Sequence, residues 1–159
     1  MPNLSVPLSP AVLAALEEEA SASNLMAADH AARLLEDHLA KQGLLNETVT
    51  EEIGLARSLI DRAIREAFRI VEAEGFQESI TFDTIQAVSA DPDWLRDYTK
   101  LVRDDPFKTG IPLKQPINQN LGSFIKKALG ATSVEGANNR PKNVKVKGSI
   151  IQSYTPLAR

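Results

Sequence analysis

Between Thr48 and Gly75 an apolar residue recurs at every third or fourth position: Ile53, Ala56, Ile60, Ala63, Ile64, Ala67 and Val71, with Leu59 and Phe68 widening the stripe. That period matches the 3.6-residue turn of an α-helix and not the two-residue alternation of a strand. A long helix with one face in a core or at an interface therefore occupies the middle of the chain. Thr48 with Glu51 three residues on is a capping-box pattern for its start, and Gly75 closes it. Asp61 with Arg65 and Arg62 with Glu66 stand four apart on its polar side, each pair worth a few tenths of a kcal/mol. A minority reading makes this helix the filler of a groove on a toxin.

The first 43 residues follow a different pattern. Leu4, Val6 and Leu8 alternate with Asn3, Ser5 and Pro7, and the period then changes from two to about 3.6. This predicts a short strand followed by two helices. Ser9 followed by Pro10 is a helix start, the hydroxyl capping free N–H groups and the proline needing no donor. Val12, Leu13, Leu16 and Ala20 share a face of the first helix. Met26, Ala31, Leu34, Leu35 and Leu39 share a face of the second, which stops at Gly43. So few elements cannot bury this much apolar surface alone, and a lone strand leaves both edges unpaired. Self-association through Leu4, Val6, Leu8, Leu16, Leu34 and Leu35 meets both needs.

The segment NLSVPLSPAVLAALEEEASASNLMAADHAARLLEDHLAKQG resembles the ribbon-helix-helix family of Arc/MetJ-type repressors and antitoxins. The resemblance covers about a quarter of the chain and rests on element order and pattern. It implies an obligate dimer whose two-stranded ribbon enters the DNA major groove, with Asn3 and Ser5 facing bases and the start of the second helix holding a phosphate. It also implies a repressor or antitoxin setting, with a cognate toxin as a possible partner.

Charge divides the chain. Residues 1–99 hold 7 Lys/Arg against 18 Asp/Glu, and residues 100–159 hold 11 against 3, a split that the overall net charge of −3 conceals. A basic terminal third without a long apolar run is the pattern of a surface for nucleic acid or another polyanion. Residues 1–43 contain only Arg33 and Lys41 as cations, so phosphate contacts are expected mainly from the C-terminal third.

Ahead of that third, Thr81 caps a short helix through Ile85 and Val88. Asp91-Pro92 starts another, with Trp94, Leu95, Tyr98, Leu101 and Val102 on its apolar side. An irregular stretch punctuated by Pro106, Gly110, Pro112 and Pro116 follows. Ile117, Leu121, Phe124, Ile125, Ala128 and Leu129 then form a helical stripe ending at Gly130. Its other face carries Asn118, Gln119, Asn120, Ser123, Lys126 and Lys127, side-chain types that contact bases and phosphates. Residues 132–134 and 144–151 read as two strands joined by a turn-rich segment, with Lys145 and Lys147 alternating with Val144 and Val146. The segment NLGSFIKKALGA, the NNRPK turn and the VKVKG strand are similar, weakly, to winged helix-turn-helix domains. That likeness implies base contact by the helix and phosphate contact by Arg140, Lys142, Lys145 and Lys147.

Catalysis finds little support. His30 and His38 are eight apart on one helix, too far for a paired metal site, and no Gly-rich phosphate loop or nucleophile elbow is present. No enzyme, cofactor or metal is expected. Cysteine is absent, which excludes thiol chemistry and makes a reducing cytoplasm the simplest compartment. No stretch approaches the roughly 20 apolar residues of a membrane span, and no signal peptide is apparent. With 43% apolar residues the chain can build folded cores.

The sequence thus predicts a mainly α (α+β) protein. Residues 1–45 form a ribbon-helix-helix dimerisation module, 46–103 a helical region, and 104–159 a basic, winged-helix-like helix plus β-hairpin, with the alternative that this last part also takes in the helix over 92–103, since the winged-helix likeness spans 92–155. The expected function is that of a dimeric DNA-binding protein, a transcriptional regulator or antitoxin-type autorepressor. The alternatives are a protein-interaction scaffold or toxin-neutralising protein that touches no DNA, and a plasmid or phage accessory protein that organises it.

Overall fold

Pro10 supplies the preset φ of a first helical residue, and the first helix, α1, runs over Pro10–Ala22. Ser9 occupies the N-cap position, although its hydroxyl makes no capping hydrogen bond. The second helix, α2, spans Ala27–Lys41 and packs against α1. It ends as the sequence suggests. Gly43 takes a left-handed φ of 68°, the Leu44 amide donates back to the Leu39 carbonyl at 3.0 Å, and the orphan carbonyls of the last turn are thereby satisfied. These elements come from a computed structural model that describes residues 3–159, in which the chain divides into two compact units, Met1–Asn46 and Glu47–Arg159.

The N-terminal ribbon does not form. Asn3 to Ser9 has no regular secondary structure and no strand partner, so Leu4, Val6 and Leu8 belong to no sheet and the ribbon-helix-helix start is absent. Alternation shows only that a segment has two faces. A strand also needs a neighbour to receive its N–H and C=O groups, and Pro7 removes one of its few donors. The described part of the first unit is a two-helix hairpin preceded by an irregular leader.

In the second unit the long stripe becomes α3, Glu47–Glu74. It begins one residue before Thr48, so the expected capping box lies within its first turn. Leu59, Ile60, Ala63, Ile64, Ala67 and Ile70 are its buried residues. Around it pack α4 (Ile80–Ser89), α5 (Pro92–Val102) and α6 (Lys114–Ala128). Ile80, Ile85 and Val88 of α4 face the core, as do Leu121 and Ile125 of α6. At the start of α5 the Asp91 carboxylate accepts the Asp93 amide at 2.9 Å, and its other oxygen meets Arg62 of α3 at 2.6 Å. That amide and the Arg62 guanidinium hold the Asp91 carboxyl below its ordinary range, against a smaller desolvation effect. Arg103 pairs with Glu52, tying the end of α5 to the start of α3.

Trp94 and Tyr98 are fully buried on α5 and stack at a centroid distance of 5.4 Å. Both polar tips are satisfied. The indole N–H donates to the Leu59 carbonyl at 3.2 Å and the phenol donates to Asn118 Oδ1 of α6 at 2.8 Å. Asn118 Nδ2 in turn reaches the Ile150 carbonyl at 3.5 Å, so one hydrogen-bonded chain crosses from α5 through α6 to the C-terminal segment.

After α6 the expected winged hairpin is replaced by another pairing. Four two-residue strands occur: β1 (Thr132–Ser133), β2 (Val144–Lys145), β3 (Ser153–Tyr154) and β4 (Leu157–Ala158). β1 pairs antiparallel with β4, and β2 with β3. The Lys142 amide donates to the Val134 carbonyl at 2.8 Å, so the three stretches 132–135, 141–146 and 152–158 pair with one another in a small closed triangle. The predicted strand over 144–151 stops early because Ser149, Ile150 and Ile151 turn inward and are buried. Core burial of two isoleucines outweighs two or three more rungs of an exposed ladder. Among the described residues six α-helices and four minimal strands therefore make a mostly helical fold.

Candidate nucleic-acid interface

Pro116 was expected to end the irregular stretch, yet α6 starts before it at Lys114. A proline in the first turn interrupts no hydrogen bond, because those N–H groups have no intrahelical partner. The extra turn matters for the surface beside it. Lys114 is only 6% exposed, and its Nζ donates to the carbonyls of Pro106 at 2.6 Å and Lys108 at 2.9 Å. Burial pushes its pKa down, with Asp105 opposing. The lysine thus fastens the loop ahead of α6, including the Gly110–Pro112 turn, against the helix.

That turn is one wall of a cleft of about 790 Å³. The polar side of α6 forms its floor, and the segments around Pro141, Asn143 and 150–155 form the opposite wall. Tyr154 of this wall is braced by Phe82 of α4, the rings stacked at 5.5 Å. Below it the Leu157 amide donates to the Glu78 carbonyl at 3.0 Å, so the wall is anchored to the α3–α4 connection. The cleft is lined by amides, hydroxyls, apolar carbons and two lysines. Among the described residues none of those lining it is acidic. A shallower groove of about 350 Å³, bounded by Arg62, Arg65, Glu66, Arg69 and Asp91, carries both signs of charge.

The candidate residues of α6 separate on this geometry. Gln119, Ser123 and Lys126 line the cleft, and Lys126 Nζ lies 3.4 Å from Ser133 Oγ. Asn118 also borders it, but its amide is committed to Tyr98 and Ile150. Asn120 is exposed outside the lining, and Lys127 lies over the Phe124 ring at 5.2 Å. Arg140, Lys142, Lys145 and Lys147 are all exposed on the 140–147 stretch, which supplies Pro141 and Asn143 to the cleft wall. Among the described residues these four cations have no carboxylate partner. Elsewhere in the unit Arg62, Arg69, Arg96 and Arg103 are paired with acids.

Asn3 and Ser5 lie in the first unit on the irregular leader, with no ribbon to present them. Of the residues expected to mediate dimerisation, Leu4, Val6, Leu8, Leu34 and Leu35 are exposed, Leu4 to 79%, while Leu16 is half-buried. Among the described residues of that unit only Ala20 and Leu25 are buried. Sequence reading missed Lys114 and the cleft walls. A signal for the lysine existed: carrying the Leu121–Ile125–Leu129 stripe back seven residues lands on position 114.

No family model, curated protein or solved structure matches this chain. Among the described residues no helix is long and apolar enough to cross a membrane.

Proposed function

We propose that this is a DNA-binding protein whose phosphate contacts come from the 126–147 region of the second unit. The observation that carries the reading is the run of four exposed cations, Arg140, Lys142, Lys145 and Lys147, without acidic partners beside an acid-free cleft. Paired arginines have their charge largely cancelled; unpaired ones keep it available for an anion. Control of transcription and organisation of plasmid or phage DNA both draw on such a surface.

The test is retardation of DNA by the full chain across a salt series. Four phosphate contacts give a slope of about −3.6 in log K against log salt, a loss of roughly 150-fold between 50 and 200 mM. Replacing Lys145 and Lys147 with Ala halves the slope to about −1.8, a loss of roughly 12-fold over the same range. Absence of retardation at low salt, or a slope unchanged by the double substitution, sinks the proposal.

Self-association through the first unit belongs to the same proposal and rests on a separate observation. Leu4, Val6, Leu8, Leu34, Leu35 and Leu44 are exposed in a unit of 46 residues that buries almost nothing. A two-helix hairpin of that size does not sustain itself, and a second copy supplies a matching apolar face without any further component. Light scattering of the full chain is expected to give a dimer, and Leu34→Asp with Leu35→Asp to give a monomer. A monomeric wild type at high micromolar concentration refutes it.

A further inference from the structure

A helix that reads duplex DNA must stand clear of its neighbours. With side chains it is about 10–12 Å across, and it has to enter a major groove about 12 Å wide. The polar side of α6 is not clear. It is the floor of a cleft, with the Gly110–Pro112 turn on one side and the 141–155 segment on the other. Lys114 fastens the first wall, while the Phe82–Tyr154 stack and the Leu157–Glu78 hydrogen bond fasten the second, so neither is a loose flap. Ser123 and Lys126, half-buried on that floor, are recessed from the base edges of a paired helix, while Gln119 lines the cleft and is itself exposed. An object that reaches Ser123 and Lys126 must come into the cleft.

From this we infer that the cleft accepts an unpaired nucleic-acid strand. The inference rests on the DNA-binding reading above and narrows it to a form of the nucleic acid. About 790 Å³ is in the size class of small-molecule sites, large enough for a splayed nucleotide. The lining suits a base and its sugar. Gln119 and Ser123 offer donors and acceptors for a Watson–Crick edge, which only an unpaired base presents. Lys126 supplies a cation, and no carboxylate is among the residues lining the cleft. The unpaired cations at 140–147 continue from the same wall and give the strand a path out of the cleft.

Gly122 provides a clean perturbation. It lies in the middle of α6 and lines the cleft, and a Cβ added there meets only Thr81 Cγ2, at 3.8 Å. Gly122→Leu therefore fills the cleft without straining the backbone, and it raises helix propensity. The experiment measures anisotropy of a short fluorescein-labelled single strand and of the same strand annealed to its complement, with full-length wild type, Gly122→Leu and Lys145→Ala/Lys147→Ala. Thermal melting verifies that each variant is folded. Wild type is expected to bind the single strand about tenfold more tightly, the equivalent of one engaged base. Gly122→Leu is expected to erase that preference and leave the residual salt-dependent affinity. The lysine pair should weaken both forms alike. Equal or tighter duplex binding overturns the inference while leaving the DNA-binding reading intact, as does a preference that survives in a folded Gly122→Leu. If neither form binds at low salt, both fall.

Discussion

Raising the pH tests the hydrogen-bonded chain that joins α5 to α6. Tyr98 is fully buried, and desolvation raises its pKa from near 10 to about 12, the bond to Asn118 offsetting a part. Folded protein thus keeps the phenolic proton at pH values where unfolded chain releases it. The group contributes its full stability below pH 10 and loses it as the pH climbs toward 12, at about 1.4 kcal/mol per unit. By pH 11 the loss is about 1.4 kcal/mol. Tyr98→Phe removes this titration along with the bond to Asn118 Oδ1, which costs about 1–2 kcal/mol at neutral pH. Wild type should therefore exceed the variant by that amount at pH 8, and the gap should close almost to zero by pH 11. Trp94, the sole tryptophan, stacks on Tyr98 and reports unfolding directly by fluorescence in urea. Comparing the two proteins cancels every contribution that they share. A gap that stays constant from pH 8 to 11 refutes the placement of Tyr98 in a dry core.

Thr84 is fully buried on α4 and its hydroxyl has no hydrogen-bond partner, so Thr84→Val should stabilise the protein by about 1 kcal/mol in urea denaturation. A destabilised valine variant would mean that the hydroxyl is satisfied in solution. Lys114→Met keeps the length of the side chain but frees the Pro106 and Lys108 carbonyls; a loss of about 2 kcal/mol is expected, with faster proteolysis within 104–113. Unchanged cleavage in that loop would show that the lysine does not fasten it. Trp94→Ala should cost about 3–5 kcal/mol by opening a cavity between α3 and α5, read as a lowered urea midpoint followed by circular dichroism. A cost below 1 kcal/mol would place the indole at the surface.

Helices were the legible part of this fold. Ser9-Pro10, Gly43, Gly75 and Asp91-Pro92 mark ends that lie where the sequence puts them, because capping depends on groups within a turn of each other. The stripe of α3 was likewise readable, with Ile70 replacing Val71 on the buried side at its end. Strands were not. Leu4, Val6 and Leu8 alternate as a ribbon should and pair with nothing, while Leu157 and Ala158, without an alternating run, form a strand with residues 24 or more positions away. At the candidate site, composition and charge marked Gln119, Ser123 and Lys126, but left open whether they stand out from the surface or lie recessed in it.

By itself the sequence determined the six helices, the charge division between the first 99 residues and the last 60, and the lack of cysteine chemistry. These are properties of periodicity and counting, set by neighbours within a few positions. Only the tertiary structure decided that β1 pairs with β4, that Lys114 is buried under its own preceding loop, and that the polar side of α6 is the floor of a cleft. Each of these joins residues that are distant in sequence, or trades exposed pairing for buried apolar surface, and local pattern carries no record of such competition.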